Sequence, residues 1–301
     1  MKAVILAGGL GTRLMEETVT RPKPMVEIGG LPIIHHIMQI YASQGVTDFV
    51  VAAGYKGEML ADYFENRRGR RGRALEDLLV CSQALNGNVH MDMASGDIAL
   101  DAGGSTGWNI EVVDTGADTM TGGRLLRLRG LLSDGPFMLT YGDGLANVHL
   151  GSLWAHHASH GRIATLTAVH PPAGKPHIVT GRGGRVHDFA CTDPGWINGG
   201  YFVFEPEVFD YLAGDETVLE TDALSALARD GELMAYRHPG FWQCMDTLEE
   251  REELEAMWRA GDAPWRDVCA RLADAMKPLD SRFTSSKASS VALARRLTRA
   301  G

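Results

Sequence analysis

Short apolar runs alternate along this chain with longer segments of helical periodicity. Val4–Leu6 is an uninterrupted apolar run near the start, the pattern of a strand buried on both faces. From Leu31 to Tyr41 apolar residues recur at helical spacing. Pro32 stands near the first helical position, where a missing N–H costs little, and Gly45 closes the segment. Asp48–Gly54 is a second buried strand and Met59–Phe64 a short helix. Farther on, Val89–Met93 and Ile110–Val113 read as small strands, 123–132 as a helix and Phe137–Tyr141 as another buried strand. Ile163–Val169, Arg185–Phe189 and Trp196–Phe204 are strand-like; Leu219–Arg229 is helical, Ala235–His238 extended and 248–259 an acidic helix. This order predicts an α/β fold: a Rossmann-like, mixed but mostly parallel sheet, helices on both faces, small β excursions and a C-terminal extension. The expected division is a domain over 1–265 and a tail over 266–301. That tail is amphipathic to 278 and Ser/Arg-rich beyond 281, suiting a docking helix or a flexible end.

Composition narrows the function. The 301 residues are 45% hydrophobic and 22% charged, ordinary for a globular protein, and the formal net charge is −9. That charge argues against a nucleic-acid binder held by bulk electrostatics. A small polyanion would need local cations and a divalent metal. Cys81, Cys191, Cys244 and Cys269 show no C-x-x-C spacing and read as reduced thiols, not a disulfide framework or a zinc site. No basic leader precedes the first strand, and no apolar run reaches membrane-spanning length. A soluble, cytoplasmic protein with no membrane partner is expected.

The candidate chemistry starts where the first strand ends, at Gly8-Gly9-Leu10-Gly11-Thr12-Arg13. Glycines let consecutive N–H groups converge on phosphate oxygens, and Arg13 adds a fork of donors. The loop is not a dinucleotide fingerprint, because Leu14 stands at the third glycine position. Nor is it a P-loop, because Thr12-Arg13 follows Gly11 where Lys-Ser/Thr is required. Lys23 lies between Pro22 and Pro24, which hold its backbone extended. Asp143, between Gly142 and Gly144, follows a buried strand, the position where open α/β sheets gather their ligands. A carboxylate there suits Mg²⁺, a hard cation that combines one or two carboxylates with substrate phosphates.

Four motifs in order, Ala7-Gly-Gly-Leu-Gly-Thr-Arg-Leu14 with Pro22-Lys-Pro24, Tyr141-Gly-Asp-Gly144, Ile197-Asn-Gly-Gly200 and Phe241-Trp-Gln-Cys-Met-Asp-Thr247, carry a specific resemblance. Over Met1 to about Trp265 the chain resembles the sugar-1-phosphate nucleotidyltransferases, and within them the glucose-1-phosphate cytidylyltransferase branch. Arg21–Gly30, Asp114-Thr-Gly116 with Thr121-Gly-Gly-Arg124, Pro239–Thr247 and Ala263-Pro-Trp265 are the segments most particular to that branch.

The resemblance implies transfer of a nucleotidyl group from CTP to a sugar 1-phosphate, giving a CDP-sugar and pyrophosphate by in-line attack at the α-phosphorus. Leu6, Ala7, Gly8, Gly9, Gly11, Thr12 and Gly142 would cradle the nucleotide, with Arg13 on its β- and γ-phosphates. Lys23 would meet the α-phosphate and the attacking phosphate. Asp143 and Asp246 would hold Mg²⁺. Tyr141, Asn198, Gly199 and Lys175 would line the sugar pocket, and Arg124 would approach the nucleotide from a neighbouring loop or subunit. A homo-oligomer is implied as well. The other readings are the same chemistry with UTP, dTTP or GTP, a non-glucose acceptor, or a non-catalytic nucleotide-sugar sensor.

One departure bears on the acceptor. The family has a Glu-Lys-Pro after the Phe that precedes Ile-Asn-Gly-Gly; here Phe189 is followed by Ala190-Cys-Thr-Asp-Pro194, without the lysine. Either Lys175, Arg182 or Arg185 replaces the lost charge, or the acceptor is not glucose 1-phosphate.

Weaker features have blander readings. The arginines at 67, 68, 70, 71 and 73 suit a solvated loop, with a basic flap or subunit contact as the alternative. His156, His157 and His160 lie on a helix expected to face solvent, lacking the Glu a metalloprotease helix needs. His35-His36 reads as structural, and Trp242 as a packing residue.

Overall fold

In a computed structural model the described residues are 1–69, 88–91, 98–101, 107–170, 177–180, 186–190 and 195–266. Their strands are β1 (Lys2–Ala7), the pair β2 (Glu27–Ile28) and β3 (Leu31–Pro32), and β4 (Asp48–Ala53). Next come the pair β5 (Asn88–Met91) and β6 (Ile98–Asp101), then β7 (Asn109–Asp114), β8 (Phe137–Tyr141), β9 (Gly144–Ala146) and β10 (Ala164–Val169). The hairpin β11 (His177–Thr180) and β12 (Val186–Ala190) precedes β13 (Ile197–Phe204), β14 (Leu233–Arg237) and β15 (Trp242–Cys244).

Seven of these form the central sheet in the order β14-β10-β13-β8-β1-β4-β7. All run parallel except β13, which is antiparallel to both neighbours. The apolar runs explain the centre: from Ala3 to Ala7 and from Phe49 to Ala53 every side chain is buried, as expected of parallel strands covered on both faces.

Register aligns the site. Ala7 pairs with Ala53, Ala53 with Asp114 and Leu6 with Tyr141, so the carboxyl ends of β1, β4, β7 and β8 share one edge. Because β13 is reversed, its first residues reach that same edge: Asn198 pairs with Ala168, one residue before the end of β10. Asn198 thus stands with the strand ends and not at the opposite side of the sheet.

Several elements differ from the sequence reading for local reasons. Leu31-Pro32 is a strand paired with Glu27-Ile28, and the helix runs over Ile33–Ala42, because Pro32 takes extended backbone (ψ 144°) at the cap. Ile110–Val113 is no small excursion; it belongs to the edge strand of the central sheet, and alternation alone does not say which sheet a strand joins. The helix expected over 123–132 is broken at Leu128 into Thr121–Arg127 and Arg129–Leu132. The segment expected as one helix over 219–229 opens with a π-helical turn at Leu219–Leu224 and becomes α-helical over Ser225–Asp230.

The helix Leu150–His160 does not turn all its histidines to solvent: His156 and His160 are half-buried. His157 is fully buried and faces Thr165 of β10, 2.8 Å from Nδ1, and Glu205, 3.2 Å from Nε2. Helical spacing marks a common face but not which face meets the sheet. Arg67 and Arg68 continue the helix Gly57–Gly69, longer than the expected Met59–Phe64, whereas arginines 70, 71 and 73 lie outside the described residues. The expected tail over 266–301 lies outside them too, apart from Arg266.

Candidate active site

The glycine-rich loop leaves β1 and turns back at Gly11, whose φ of +63° lies in the left-handed region. A Cβ at Gly11 would also meet the Thr18 side chain at 2.6 Å and Lys23 Cβ at 3.3 Å, so the loop lies against the lysine segment. Thr12–Leu14 then form a short 3₁₀ turn, and Lys23–Met25 form another that starts after extended Pro22. This conformation turns Lys23 inward. The lysine is only 9% exposed, unlike the solvated lysine its residue type would suggest.

Its ammonium meets two carboxylates from separate parts of the chain. Lys23 Nζ donates to Asp143 Oδ2 and to Asp246 Oδ1, each at 2.6 Å. Arg13 Nη1 donates to the other Asp246 oxygen at 2.8 Å. Burial by itself lowers the lysine pKa, but Asp143 and Asp246 outweigh it and hold the group above its ordinary value. Lys23 is therefore charged throughout the physiological range.

Asp143 sits in the turn between β8 and β9, and the antiparallel pair β9–β15 brings Asp246 beside it. Met245 N–H donates to the Asp143 carbonyl at 2.9 Å, locking the two acidic segments together. Asp246 directly precedes the acidic helix Leu248–Arg259, whose cap is Thr247. Glu250 completes a capping box and accepts from the backbone N–H of Asp246 at 2.5 Å and of Thr247 at 3.1 Å. The aspartate is thereby released from capping and faces Lys23.

Arg124 is buried, and its guanidinium ties three strand ends together. Nη2 donates to Gly8 O (2.9 Å) and Ala117 O (3.1 Å); Nη1 donates to Ala53 O (3.2 Å), Thr115 Oγ1 (2.8 Å) and Gly116 O (2.6 Å). A Cβ at Gly8 would fall 2.2 Å from this guanidinium, and one at Gly54 2.3 Å. These glycines make room for the arginine. Its donors go to four backbone carbonyls and one threonine hydroxyl of this chain, around the β1, β4 and β7 ends, an inward role that the motif did not suggest.

A second polar group lies beside Asp143. Asn198 Nδ2 donates to the Tyr141 hydroxyl at 3.2 Å, and Asn198 Oδ1 accepts from Gly200 N–H at 2.9 Å. Trp242, half-buried, donates from Nε1 to Gly199 O at 2.7 Å and does more than fill space. Tyr141 O–H donates to Glu220, and burial followed by the neighbouring Glu220 charge raises the phenol pKa well above its ordinary value. Glu220 was not singled out from sequence: nothing at the start of its helix marks it, and only the fold brings it to Tyr141. Lys175, Arg182 and Arg185 lie outside the described residues, as do Cys191–Pro194.

The chain is similar to known proteins over most of its length. Residues 2–90 match the family model described as Nucleotidyl transferase. Over 270 residues the chain is 45% identical to the glucose-1-phosphate cytidylyltransferase of Salmonella typhimurium, covering 88% of this chain and 99% of that one. It belongs to the nucleotidyltransferase family. The Salmonella typhi glucose-1-phosphate cytidylyltransferase is 44% identical with the same coverage. Among solved structures, UTP-bound UGPase from Acinetobacter baumannii superposes with a TM-score of 0.66 at 15% identity, covering 92% of this chain and 99% of that one. HddC from Yersinia pseudotuberculosis complexed with GMP-PN gives 0.65 at 18% identity over 85% of this chain and 99% of that one. These share the fold. In this nucleotidyltransferase no helix among the described residues is long and apolar enough to cross a membrane.

Proposed function

We propose that residues 1–265 transfer a cytidylyl group from CTP to glucose 1-phosphate, releasing pyrophosphate and forming CDP-glucose. The observation that carries the reading is Lys23, clamped by Asp143 and Asp246 beside the glycine loop. An ammonium has three donors, and two point at carboxylates; the third is fixed in direction and available to a phosphate oxygen. The named activity of the Salmonella relatives supports the choice of CTP and glucose 1-phosphate.

In this reading a phosphate oxygen of the sugar phosphate bonds to the α-phosphorus, and the bond from that phosphorus to the bridging oxygen of the leaving pyrophosphate breaks. Positioning and charge stabilisation then supply the rate. Leu6, Ala7, Gly8, Gly9, Gly11, Thr12 and Gly142 form the nucleotide cradle. Arg13, with a side chain 70% exposed, reaches the β- and γ-phosphates. Lys23 meets the α-phosphate and the attacking phosphate. Arg124 serves from behind by holding Gly8. Tyr141, Asn198 and Gly199 receive the sugar.

A divalent metal fits the residues present. The Asp143 and Asp246 carboxylates lie close enough together to share the Lys23 ammonium, 2.6 Å from each, and as neighbouring hard oxygen donors they suit Mg²⁺ beside it. When bound there, the ion would neutralise phosphate charge. The homo-oligomer expected of the family is part of the same reading, supported by exposed apolar Leu10, Met15 and Val19.

Pyrophosphate release with CTP, UTP, dTTP and GTP against a panel of sugar 1-phosphates tests the proposal. The expected best pair is CTP with glucose 1-phosphate. Release from another pair alone would change the substrates, and no release from any pair, with CTP still bound, would point to a nucleotide-sugar sensor.

A further inference from the structure

The Glu220 carboxylate stands at the junction of two polar chains. Thr121 Oγ1 donates to its Oε2 at 2.9 Å, and the Tyr141 hydroxyl donates to its Oε1. Thr121 Oγ1 itself accepts from Leu219 N–H at 2.9 Å, so its hydrogen is directed to the carboxylate. Among the described residues Glu220 has two hydroxyl donors and no cation partner. Thr121 is a rigid anchor, because the backbone on both its sides is tied down. Met120 N–H donates to Asp215 O, and Gly122 N–H to Thr217 O, each at 2.9 Å.

Directions in the second chain are fixed as well. Asn198 Oδ1 takes the Gly200 N–H, which sets the orientation of the amide and leaves Nδ2 toward Tyr141. The tyrosine oxygen therefore accepts from Asn198 while its hydrogen goes to Glu220. The ring is held from its other sides too. A Cβ at Gly200 would lie 2.5 Å from Tyr141 Cδ2, and Phe202 meets the ring edge-on with centroids 5.7 Å apart. Glu220 lies on the π-helical turn Leu219–Leu224, a rare feature that recurs at functional sites.

We infer that Glu220 is a positioning residue for the acceptor half of the site: it fixes the Tyr141 hydroxyl, and through it the Asn198 amide that meets the sugar phosphate. This rests on the assignment of Tyr141 and Asn198 to the acceptor. The carboxylate touches neither substrate. It sets which donor the pocket shows, so its removal weakens acceptor binding and leaves the nucleotide half alone.

The test uses the full-length enzyme with Glu220→Ala, Tyr141→Phe and the double variant. KM for each substrate is measured by pyrophosphate release, and Tm by calorimetry. Glu220→Ala is expected to raise the glucose 1-phosphate KM about tenfold while the CTP KM stays within about twofold. In the Tyr141→Phe background the same change should add less than about twofold, because both act through one hydrogen bond. Glu220→Gln, which keeps an acceptor for the hydroxyl, should recover most of the acceptor KM. An unchanged acceptor KM, an equal shift in both KM values, or multiplying effects in the double variant would overturn the inference. If Glu220→Ala does not fold, Thr121→Val carries the test, with a smaller rise confined to the acceptor KM. Wild-type enzyme that fails to turn over CTP with any sugar 1-phosphate rejects the acceptor assignment and this role together; turnover with a flat KM profile rejects this role alone.

Discussion

Replacing Lys23 by Met removes the charge and keeps most of the side-chain bulk. At 2.6 Å, each contact of its ammonium with Asp143 and Asp246 carries roughly 6 kcal/mol of Coulomb attraction at an effective dielectric of about 20. Burial opposes this, and the raised lysine pKa shows that the attraction prevails. Removing one partner of a buried ion pair typically costs about 3–5 kcal/mol. Here Arg13 still reaches Asp246, and the Asp143 side chain is 28% exposed, so water can take up part of its charge. The expected loss of stability is therefore lower, about 2–3 kcal/mol, and the fold survives. Catalysis should suffer more. A preorganised donor aimed at developing charge supplies about 3–4 kcal/mol, so kcat should fall by about 10²–10³-fold. Stopped-flow pyrophosphate release gives kcat, and circular dichroism with thermal melting confirms folding. Lys23→Arg should fall between the two: it restores charge, but a planar fork fits poorly where the native side chain is only 11% exposed. A folded Lys23→Met enzyme with kcat within threefold of wild type would refute the reasoning.

Asp143→Asn and Asp246→Asn should each raise the Mg²⁺ concentration for half-maximal activity about tenfold or more, measured by metal titration; an unchanged requirement would place the metal elsewhere. Gly8→Ala drives a methyl into the Arg124 guanidinium and should destabilise the protein by about 2–4 kcal/mol in urea titration, because bonds to a charged donor are lost. The same variant should weaken CTP binding in calorimetry; an unaltered stability would show that the arginine can move aside freely. His36 is buried with Nε2 on the Ile28 carbonyl, and burial, the largest influence, lowers its pKa to about 4. The folded pKa is below the unfolded one, so the unfolded state binds the extra proton and stability falls as pH drops from about 6.5 toward 4. Over that window His36 alone should account for about 3 kcal/mol, read as the difference in slope between wild type and His36→Gln in urea melts at pH 7 and pH 4.5. Equal slopes would reject the assignment.

Much of this protein was legible in the linear chain because some signals are local. Apolar runs place strands wherever they lie, so β1, β4, β8 and β10 were readable within one or two residues. The acidic helix over 248–259 was readable to the residue, and in the structure Thr247 and Glu250 close its start with a capping box. Gly8, Gly9, Gly11 and the proline-flanked Lys23 were candidates because backbone freedom and stiffness follow from residue type. Asp246 was different: as a lone residue it resembled a helix cap, and only the motif around it suggested a ligand.

What sequence could not supply was pairing across distance. His157 faces inward because Thr165 and Glu205 lie where the helix packs, and Arg124 turns toward its own strand ends because glycines at 8 and 54 open a space there. Glu220 acquires meaning only beside Tyr141, 79 residues away in the chain. The sequence by itself determined the chemistry on offer: a glycine-rich loop, a stiffly held lysine and acidic turns at strand ends. The tertiary structure decided which of these meet. One reversed strand brings Asn198 to the working edge, and the β9–β15 pair brings Asp246 to Asp143. Hydrophobic patterning is set by neighbours along the chain, whereas a site is set by side chains that strand order and register bring together.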